Sequence, residues 1–141
     1  DDKFKDLPFQ VISTGLPYLI IPVKSNALEK SKIVISDLEI HLNRIGAKFI
    51  FILDVERKQG RTWDNLGLVE DVATGSSAGP VGAYLVDNKL EKVYTEIVIE
   101  QGHFLGRPSQ IKIFVTSKNN KIDDVFVEGD VCKIGAGEIY I

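Results

Sequence analysis

Residues 72–86, VATGSSAGPVGAYLV, carry no charged side chain and decide the predicted fold of this chain. The later part of the stretch is small and apolar on every side, and a helix that is apolar all round is buried on all sides. Pro80 is tolerated near the start of a helix, and the polar residues before it supply capping groups. The pattern therefore predicts a central helix over about 77–87, roughly 15 Å long at 1.5 Å per residue, with strands wrapped around it.

Short runs rich in β-branched and aromatic residues lie on both sides of this stretch, and turn-forming residues separate them. Such runs predict strands. The predicted strands are 9–13, 18–23, 48–54, 60–68 (the weakest), 96–100, 110–115, 124–128, 131–134 and 138–141. The class is therefore α+β, in a single domain over residues 1–141.

A second, amphipathic helix is predicted over about 37–45. Ser36 is followed three residues later by Glu39, which is a capping-box pattern. Leu38 and Leu42 follow at helical spacing, and Gly46 stands where a C-terminal glycine is expected.

Composition excludes several classes of function. The 141 residues carry a net charge of −3, which gives no basic surface for nucleic acid, and the apolar runs are too short to cross a membrane. A single cysteine excludes an internal disulfide and favours a reducing compartment, so we expect a cytoplasmic location. Two histidines without carboxylates at ligand spacing predict no metal site. The chain opens on Asp1 and contains no methionine, so we expect it to derive from a longer protein.

The polar turn at residues 70–79 opens the predicted central helix. The first amides of any helix lack intrahelical acceptors, and the helix dipole places partial positive charge there. One interpretation is an anion site for a carboxylate or phosphate, with the Gly75 and Ser76 amides as donors. The alternative is that Asp71 or Thr74 caps the helix and nothing binds.

Four segments together carry a resemblance to a known family. Residues 70–80 (EDVATGSSAGP) resemble the EDPATGSAAGP signature of the PhzF (phenazine-biosynthesis F) family. Three other segments occur in the order in which the family has them. They are a turn at 13–17 (STGLP), an arginine–aromatic strand at 61–63, and the pair EQG and GRPS at 100–102 and 106–109. The signature is not unchanged, because Val72 replaces the usual proline and Ser77 an alanine.

The resemblance implies a fold similar to diaminopimelate epimerase, with two pseudo-symmetric halves and a site in the cleft between them. This chain resembles the C-terminal half only. The family's general acid/base glutamate is therefore expected in a missing N-terminal half. The resemblance implies a cofactor-independent isomerase that acts on a small carboxylate-bearing metabolite, with this chain alone inactive.

Residues are carried over by their place in the signature. Asp71 and Ser76 are the expected catalytic residues, and Thr74 stands where related epimerases and racemases carry a catalytic cysteine. Because threonine is far too weak an acid to exchange a proton as a thiol does, two-base racemisation is not expected. The expected substrate-binding residues are Gly75, Ser76, Thr74, Ser77, Thr14 and Gly15.

Other interpretations stay open. The chain could instead be a non-catalytic module that binds an acid or associates with another subunit. We also expect self-association into a homo-oligomer such as a homodimer, driven by an exposed apolar face. His103 could act as a general base but is favoured as an ordinary loop histidine, and His41 is expected at the surface. Cys132 is expected to be a buried structural thiol and Trp63 a packing residue. Arg107 could contact an anion, although an arginine before a proline more often anchors the backbone.

Overall fold

The computed structural model describes residue 4 and residues 6–140, with the side chain of Ser25 left out. It contains one seven-stranded sheet whose strands are neighbours in chain order. The strands are β1 (Gln10–Ser13), β2 (Pro17–Val23), β3 (Phe49–Asp54), β4 (Gln59–Arg61), β5 (Glu96–Gln101), β6 (Ser109–Lys118) and β7 (Lys121–Glu128). The helices are α1 (Ser25–Leu28), α2 (Leu38–Arg44) and α3 (Gly75–Asp87), with a 3₁₀ turn at His103–Leu105.

The sheet mixes hairpins with two crossovers. β2 pairs parallel with β3 after α1 and α2, and β4 pairs parallel with β5 after α3. The other neighbours pair antiparallel. α3 packs against both edge strands, β1 and β7, as well as β2 and β6, so the sheet curls around this helix. The predicted α+β class agrees with this arrangement.

α3 begins at Gly75, slightly before the predicted start, and ends at Asp87 as predicted. Nine consecutive residues, 77–85, are buried, as the absence of charge predicts. Close approach of the strands depends on glycine. At Gly82, a Cβ atom would lie 2.5 Å from Ile113 Cγ2 on β6, so a larger residue would push the sheet away.

α2 is shorter than predicted, and its start differs. The N-cap residue is Asp37, and no side chain caps the helix, so the Ser36 capping box is wrong. The Asp37 carboxylate instead contacts His41 Nε2 one turn later, at 3.1 Å. The C-terminal glycine is confirmed, because Gly46 has φ +75° and the Ala47 amide donates to the Leu42 carbonyl.

Three strand predictions fail in whole or in part, those at 60–68, 131–134 and 138–141. β4 ends at Arg61 because Asp64 Oδ1 accepts the amides of Leu68 (2.8 Å) and Val69, which turns the chain. The segment at 129–140, called the tail below, forms no strand, because no neighbouring strand pairs with it. Ile141, the last residue of the predicted 138–141 strand, lies outside the described residues.

Cys132 lies in the tail and is exposed, so its expected burial is wrong. Burial of that thiol would require the strand that is not formed here. Across the described ranges, none of the helices has both the length and the apolar character needed to span a bilayer.

Candidate functional site

An arginine clamp holds the loop that connects β4 to α3. Arg61 Nε donates to Glu70 Oε1 at 2.8 Å and Arg61 Nη2 to Glu70 Oε2 at 2.6 Å, with only 11% and 8% of the two side chains exposed. Its guanidinium also lies over the Trp63 ring, 4.6 Å from the ring centre. Nη1 reaches three carbonyls at the end of α1, those of Leu28, Glu29 and Ser31. Arg61 is therefore a structural residue that fixes the position of the residue after Glu70.

That next residue is Asp71, which forms a hydrogen-bonded cluster with Thr74 and Gln101. Thr74 Oγ1 donates to Asp71 Oδ2 at 2.7 Å. Gln101 Nε2 donates to Thr74 Oγ1 at 2.9 Å and to the Asp71 carbonyl at 3.1 Å, and Gln101 Oε1 accepts the Thr74 amide at 3.0 Å. Because a backbone amide only donates and a carbonyl only accepts, the orientation of the Gln101 side chain is fixed. Thr74 therefore directs its hydroxyl proton at Asp71 Oδ2, which accepts this hydrogen bond.

Gln101 was not among the predicted site residues, although the sequence holds a signal for it. In β5, Ile97, Ile99 and Gln101 alternate on the buried face, and Gln101 is only 2% exposed. A polar residue in a core position of an alternating strand needs buried hydrogen-bond partners, because an unpaired buried amide is costly. Such a residue therefore marks a buried polar cluster.

Tyr18 is the second functional residue that sequence reasoning missed. Its hydroxyl lies 2.9 Å from Ser76 Oγ, and the side chain is buried at the start of β2. Burial raises the pKa of the Tyr18 phenol, the hydrogen bond with Ser76 lowers it, and the negative charge of Asp71 raises it further. Tyr18 therefore stays protonated at neutral pH and holds the Ser76 hydroxyl in place. The only sequence signal is that this tyrosine directly follows the STGLP turn.

Tyr18, Asp71, Thr74 and Ser76 line one cavity of about 450 Å³, whereas Gln101 lies behind them and lines a different cavity. Its polar lining includes Tyr18, Asp71, Thr74, Ser76 and Arg107. Its apolar lining includes Leu16, Phe49, Trp63, Val69 and Val72. The lining also holds two carboxylates that already have partners, since Glu70 is paired with Arg61 and Asp64 accepts backbone amides. A cationic side chain, three hydroxyls and an apolar wall together suit a small organic acid. Arg107, which we expected to anchor the backbone, therefore belongs to the site.

The N-terminus of α3 opens beside this cavity. Gly75 and Ser76 are exposed, and among the described residues nothing accepts a hydrogen bond from either amide. Thr74 is the N-cap residue, yet no side chain caps the helix because its hydroxyl is directed at Asp71. The expected side-chain cap from Asp71 or Thr74 is therefore wrong, and binding of an anion at this partly positive helix end stays a prediction.

The other predicted binding residues lie elsewhere. Ser77 is buried and donates to the Thr74 carbonyl at 2.9 Å, so it does not face the cavity. Gly75 lines a second cavity of about 740 Å³. Thr14 and Gly15 lie in the turn between β1 and β2, where Thr14 lines a groove of about 510 Å³ beside β7. The structure therefore brings Asp71, Ser76 and Thr74 together and leaves these four residues outside the cavity.

The remaining polar candidates do not form a centre. His103 is exposed in the 3₁₀ turn with its ring edge-on to Phe104, and His41 is exposed on α2, as expected. Trp63 is buried, which confirms it as a packing residue. Within the described part of the chain, no cluster of histidine, cysteine and carboxylate side chains could hold a metal ion.

Comparison with known proteins identifies the family to which this fold belongs. The family model for phenazine biosynthesis-like proteins, PhzC-PhzF, matches residues 1–137, and the chain belongs to this family. The resemblance seen in the sequence motifs is therefore confirmed.

Three relatives show what the chain is similar to. It is 28% identical over 138 residues to the uncharacterized isomerase YddE of Escherichia coli K12, covering 92% of this chain and 46% of that protein. It is 32% identical over 88 residues to the trans-2,3-dihydro-3-hydroxyanthranilate isomerase of Pseudomonas aeruginosa, covering 58% and 32% of the two chains. The solved structure of the predicted epimerase PA4716 of Pseudomonas aeruginosa is 43% identical and superposes with a TM-score of 0.77, over 94% of this chain and 47% of that one.

These comparisons show the fold of this chain and the reaction class of its relatives. The curated relatives are isomerases, and the fold is the β-rich α+β fold of the family. The chain spans about half the length of YddE, with 46% covered.

Proposed function

We propose that this chain is the substrate-binding half of a cofactor-independent isomerase that acts on a small carboxylate-bearing metabolite. The observation that carries the proposal is that Asp71, Thr74, Ser76 and Arg107 line one cavity beside the uncapped start of α3. Membership of a family whose curated relatives are isomerases supports the reaction class.

Each side chain has a defined part in this proposal. Arg107 and the helix start neutralise the substrate carboxylate, and Ser76, oriented by Tyr18, donates a hydrogen bond to it. Asp71 accepts a hydrogen bond from Thr74 and lines the cavity, where it orients the substrate or relays a proton. The isomerisation removes a proton from one carbon and returns it to another, so no electrons are gained or lost.

The general acid/base glutamate is proposed to lie in the missing N-terminal half, in an arrangement similar to diaminopimelate epimerase. Each half would form a β-rich shell around a central helix, with the cavity described here at their junction. The curled sheet around α3 supports this part of the proposal. The complete protein is proposed to work in the cytoplasm.

Deuterium incorporation tests the function. The chain alone, and the chain with its N-terminal half, are incubated in D₂O with trans-2,3-dihydro-3-hydroxyanthranilate and other small carboxylic acids, and mass spectra follow exchange at carbon. We expect exchange and isomerisation only with the complete protein. Turnover by the chain alone would contradict the placement of the acid/base group.

Asp71→Asn in the complete protein tests the site itself. Loss of a positioned acid/base group lowers turnover by roughly 10²–10⁴-fold, and we expect a fall in this range with an unchanged melting temperature. Asp37→Asn, on the exposed surface of α2, is the matched control and should leave turnover unchanged. Tight binding of an acid without any exchange would favour the non-catalytic binding module instead.

A further inference from the structure

Gln101 lies behind the cavity, and the proposed function gives it no part. It stands on the buried face of β5, and its side chain is not among those that line the cavity of about 450 Å³. A substrate in that cavity would therefore not touch it. Any effect of Gln101 on the reaction has to pass through the two residues of the turn that it contacts, Asp71 and Thr74.

The carboxamide group of Gln101 is fully used by these two residues. Nε2 donates one proton to Thr74 Oγ1 and the other to the Asp71 carbonyl, while Oε1 accepts the Thr74 amide. Turning the carboxamide over would set Nε2 against the Thr74 amide and Oε1 against the Asp71 carbonyl, and neither pair can form a hydrogen bond. The atom that faces Thr74 Oγ1 is therefore always a donor.

The direction of the Thr74 hydroxyl follows from this donor. A hydroxyl group has a single proton. Because Thr74 Oγ1 accepts a proton from Gln101, its own proton is directed at Asp71 Oδ2, at 2.7 Å. The other carboxyl oxygen, Asp71 Oδ1, accepts the Ala73 amide at the longer distance of 3.3 Å. The Thr74 hydroxyl is thus the closer of the two donors that orient the Asp71 carboxyl group.

The backbone of the turn has supports that do not involve Gln101. The Asp71 amide donates to the Thr62 carbonyl at 3.0 Å, and Ser109 Oγ donates to the Val72 carbonyl at 2.6 Å. These contacts hold the path of the chain around residue 71. Replacing the Gln101 donor by an acceptor should therefore redirect the Thr74 hydroxyl while the turn stays in place.

We infer that Gln101 is a positioning residue for the isomerisation: it holds the Thr74 hydroxyl as a donor to Asp71 and so sets the direction in which the Asp71 carboxyl group meets the substrate. This inference rests on the proposed function. It makes turnover depend on a buried donor that lies outside the cavity. A Gln101 that only fills and satisfies the interior would affect the stability of the fold and not the rate of the folded enzyme.

Gln101→Glu in the complete protein tests this role, because it exchanges the donor for an oxygen at the same side-chain length. As a carboxylate, the introduced group only accepts hydrogen bonds, so the Thr74 hydroxyl turns towards it and away from Asp71. As a neutral acid it regains one donor. We expect kcat for deuterium exchange into trans-2,3-dihydro-3-hydroxyanthranilate to be roughly 10–100-fold below wild type at about pH 9, with KM little changed, and to recover towards wild type at about pH 6. The ionisable groups around the introduced one, Asp71, Glu100 and His103, are common to both proteins, so the measured quantity is the ratio of the two kcat values at each pH.

Thr74→Val shows whether Gln101 acts through the hydroxyl, because valine keeps the shape and the backbone amide that Gln101 Oε1 accepts. The double variant Gln101→Glu, Thr74→Val should be no slower than the slower of the two single variants. Gln110→Glu, the same change at an exposed residue of β6, is the matched control and should leave kcat unchanged. Circular dichroism establishes that each variant is folded at the assay temperature.

Two results would overturn the inference. One is a kcat for Gln101→Glu that stays within about twofold of wild type at about pH 9, and the other is a double variant in which the two losses multiply. If the glutamate variant does not fold, Gln101→Met gives the same test without a charge: its kcat should be lower at every pH, and an unchanged kcat would equally overturn the inference. A complete wild-type protein that exchanges none of the acids would refute the proposed function and this inference with it, whereas an active wild type with unaffected Gln101 variants would refute the inference alone.

Discussion

Replacing Arg61 by methionine should be among the most damaging changes outside the core, although the cavity would lose no lining residue. The variant removes two charge-assisted hydrogen bonds to Glu70 and three to backbone carbonyls. Glu70 would be left as a carboxylate that is only 8% exposed and has lost its cation.

The magnitude follows from that burial. Removing one partner of a buried ion pair typically costs about 3–5 kcal/mol, well above the value of an exposed pair. For a domain of this size, this corresponds to a fall in melting temperature of roughly 6–20 °C at about 2–4 °C per kcal/mol. Arg61→Lys keeps the charge but loses the planar fork, so we expect an intermediate loss of about 1–2 kcal/mol.

Urea unfolding followed by tryptophan fluorescence measures the effect, because the single tryptophan, Trp63, lies under the Arg61 guanidinium. Glu70→Gln and the double variant complete a cycle, which should give a coupling of about 1–3 kcal/mol between the two positions. A loss below about 1 kcal/mol for Arg61→Met, or strictly additive effects, would refute the clamp.

Two further predictions concern the core. Gly82→Ala should destabilise the chain by about 1–3 kcal/mol, because its methyl group would press on Ile113. Gly75→Ala, whose methyl group would meet no atom within 4 Å, should be neutral or stabilising by up to ~1 kcal/mol. Equal losses of stability for the two variants in chemical unfolding would contradict the close packing of β6 on α3. Tyr84→Phe should cost about 1 kcal/mol at pH 8 by removing the hydrogen bond to the Pro8 carbonyl. Burial raises the pKa of Tyr84 to about 12, so the unfolded chain releases this proton first, and the wild type should lose about 2–3 kcal/mol as pH rises from ~10 to ~12. The phenylalanine variant should lack that loss, and parallel alkaline profiles would show that the phenol is not shielded.

The local sequence pattern predicts an element correctly when the pattern also determines the surroundings of that element. α3 is recognisable because an uncharged stretch of small residues has no polar face to expose to solvent, and β5 is recognisable because its apolar residues alternate. Gly46 marks the end of α2 because its conformation is a local property of the chain. The Ser36 capping box fails because Asp37 has a competing partner, His41, one turn away.

The tail shows why a strand pattern alone is insufficient. Val131 and Ile134 belong to a run of β-forming residues, but a strand exists only where another strand accepts its hydrogen bonds. Nothing in the run itself says whether that neighbour lies in the same chain. The same reason explains the exposure of Cys132.

The site residues at the start of α3 could be predicted from the sequence, whereas those on the strands could not. Asp71, Thr74 and Ser76 are close in sequence, and a turn followed by a helix necessarily brings them together. Tyr18 and Gln101 reach them from β2 and β5, over separations of 58 residues to Ser76 and 27 residues to Thr74. Such contacts depend on how the sheet curls, which the strand patterns do not encode.

The hydroxyl of Thr74, held between the Gln101 amide and the Asp71 carboxylate, has a consequence for how this fold could change its chemistry. A thiol at residue 74 would face the Asp71 carboxylate, and a neighbouring negative charge disfavours the thiolate that proton exchange requires. A single substitution to cysteine would therefore yield a poor base. An evolutionary or engineered route from this site to thiol-based racemisation has to alter residues 71 and 74 together, which makes the hydroxyl–carboxylate pair a barrier between two reaction types on one scaffold.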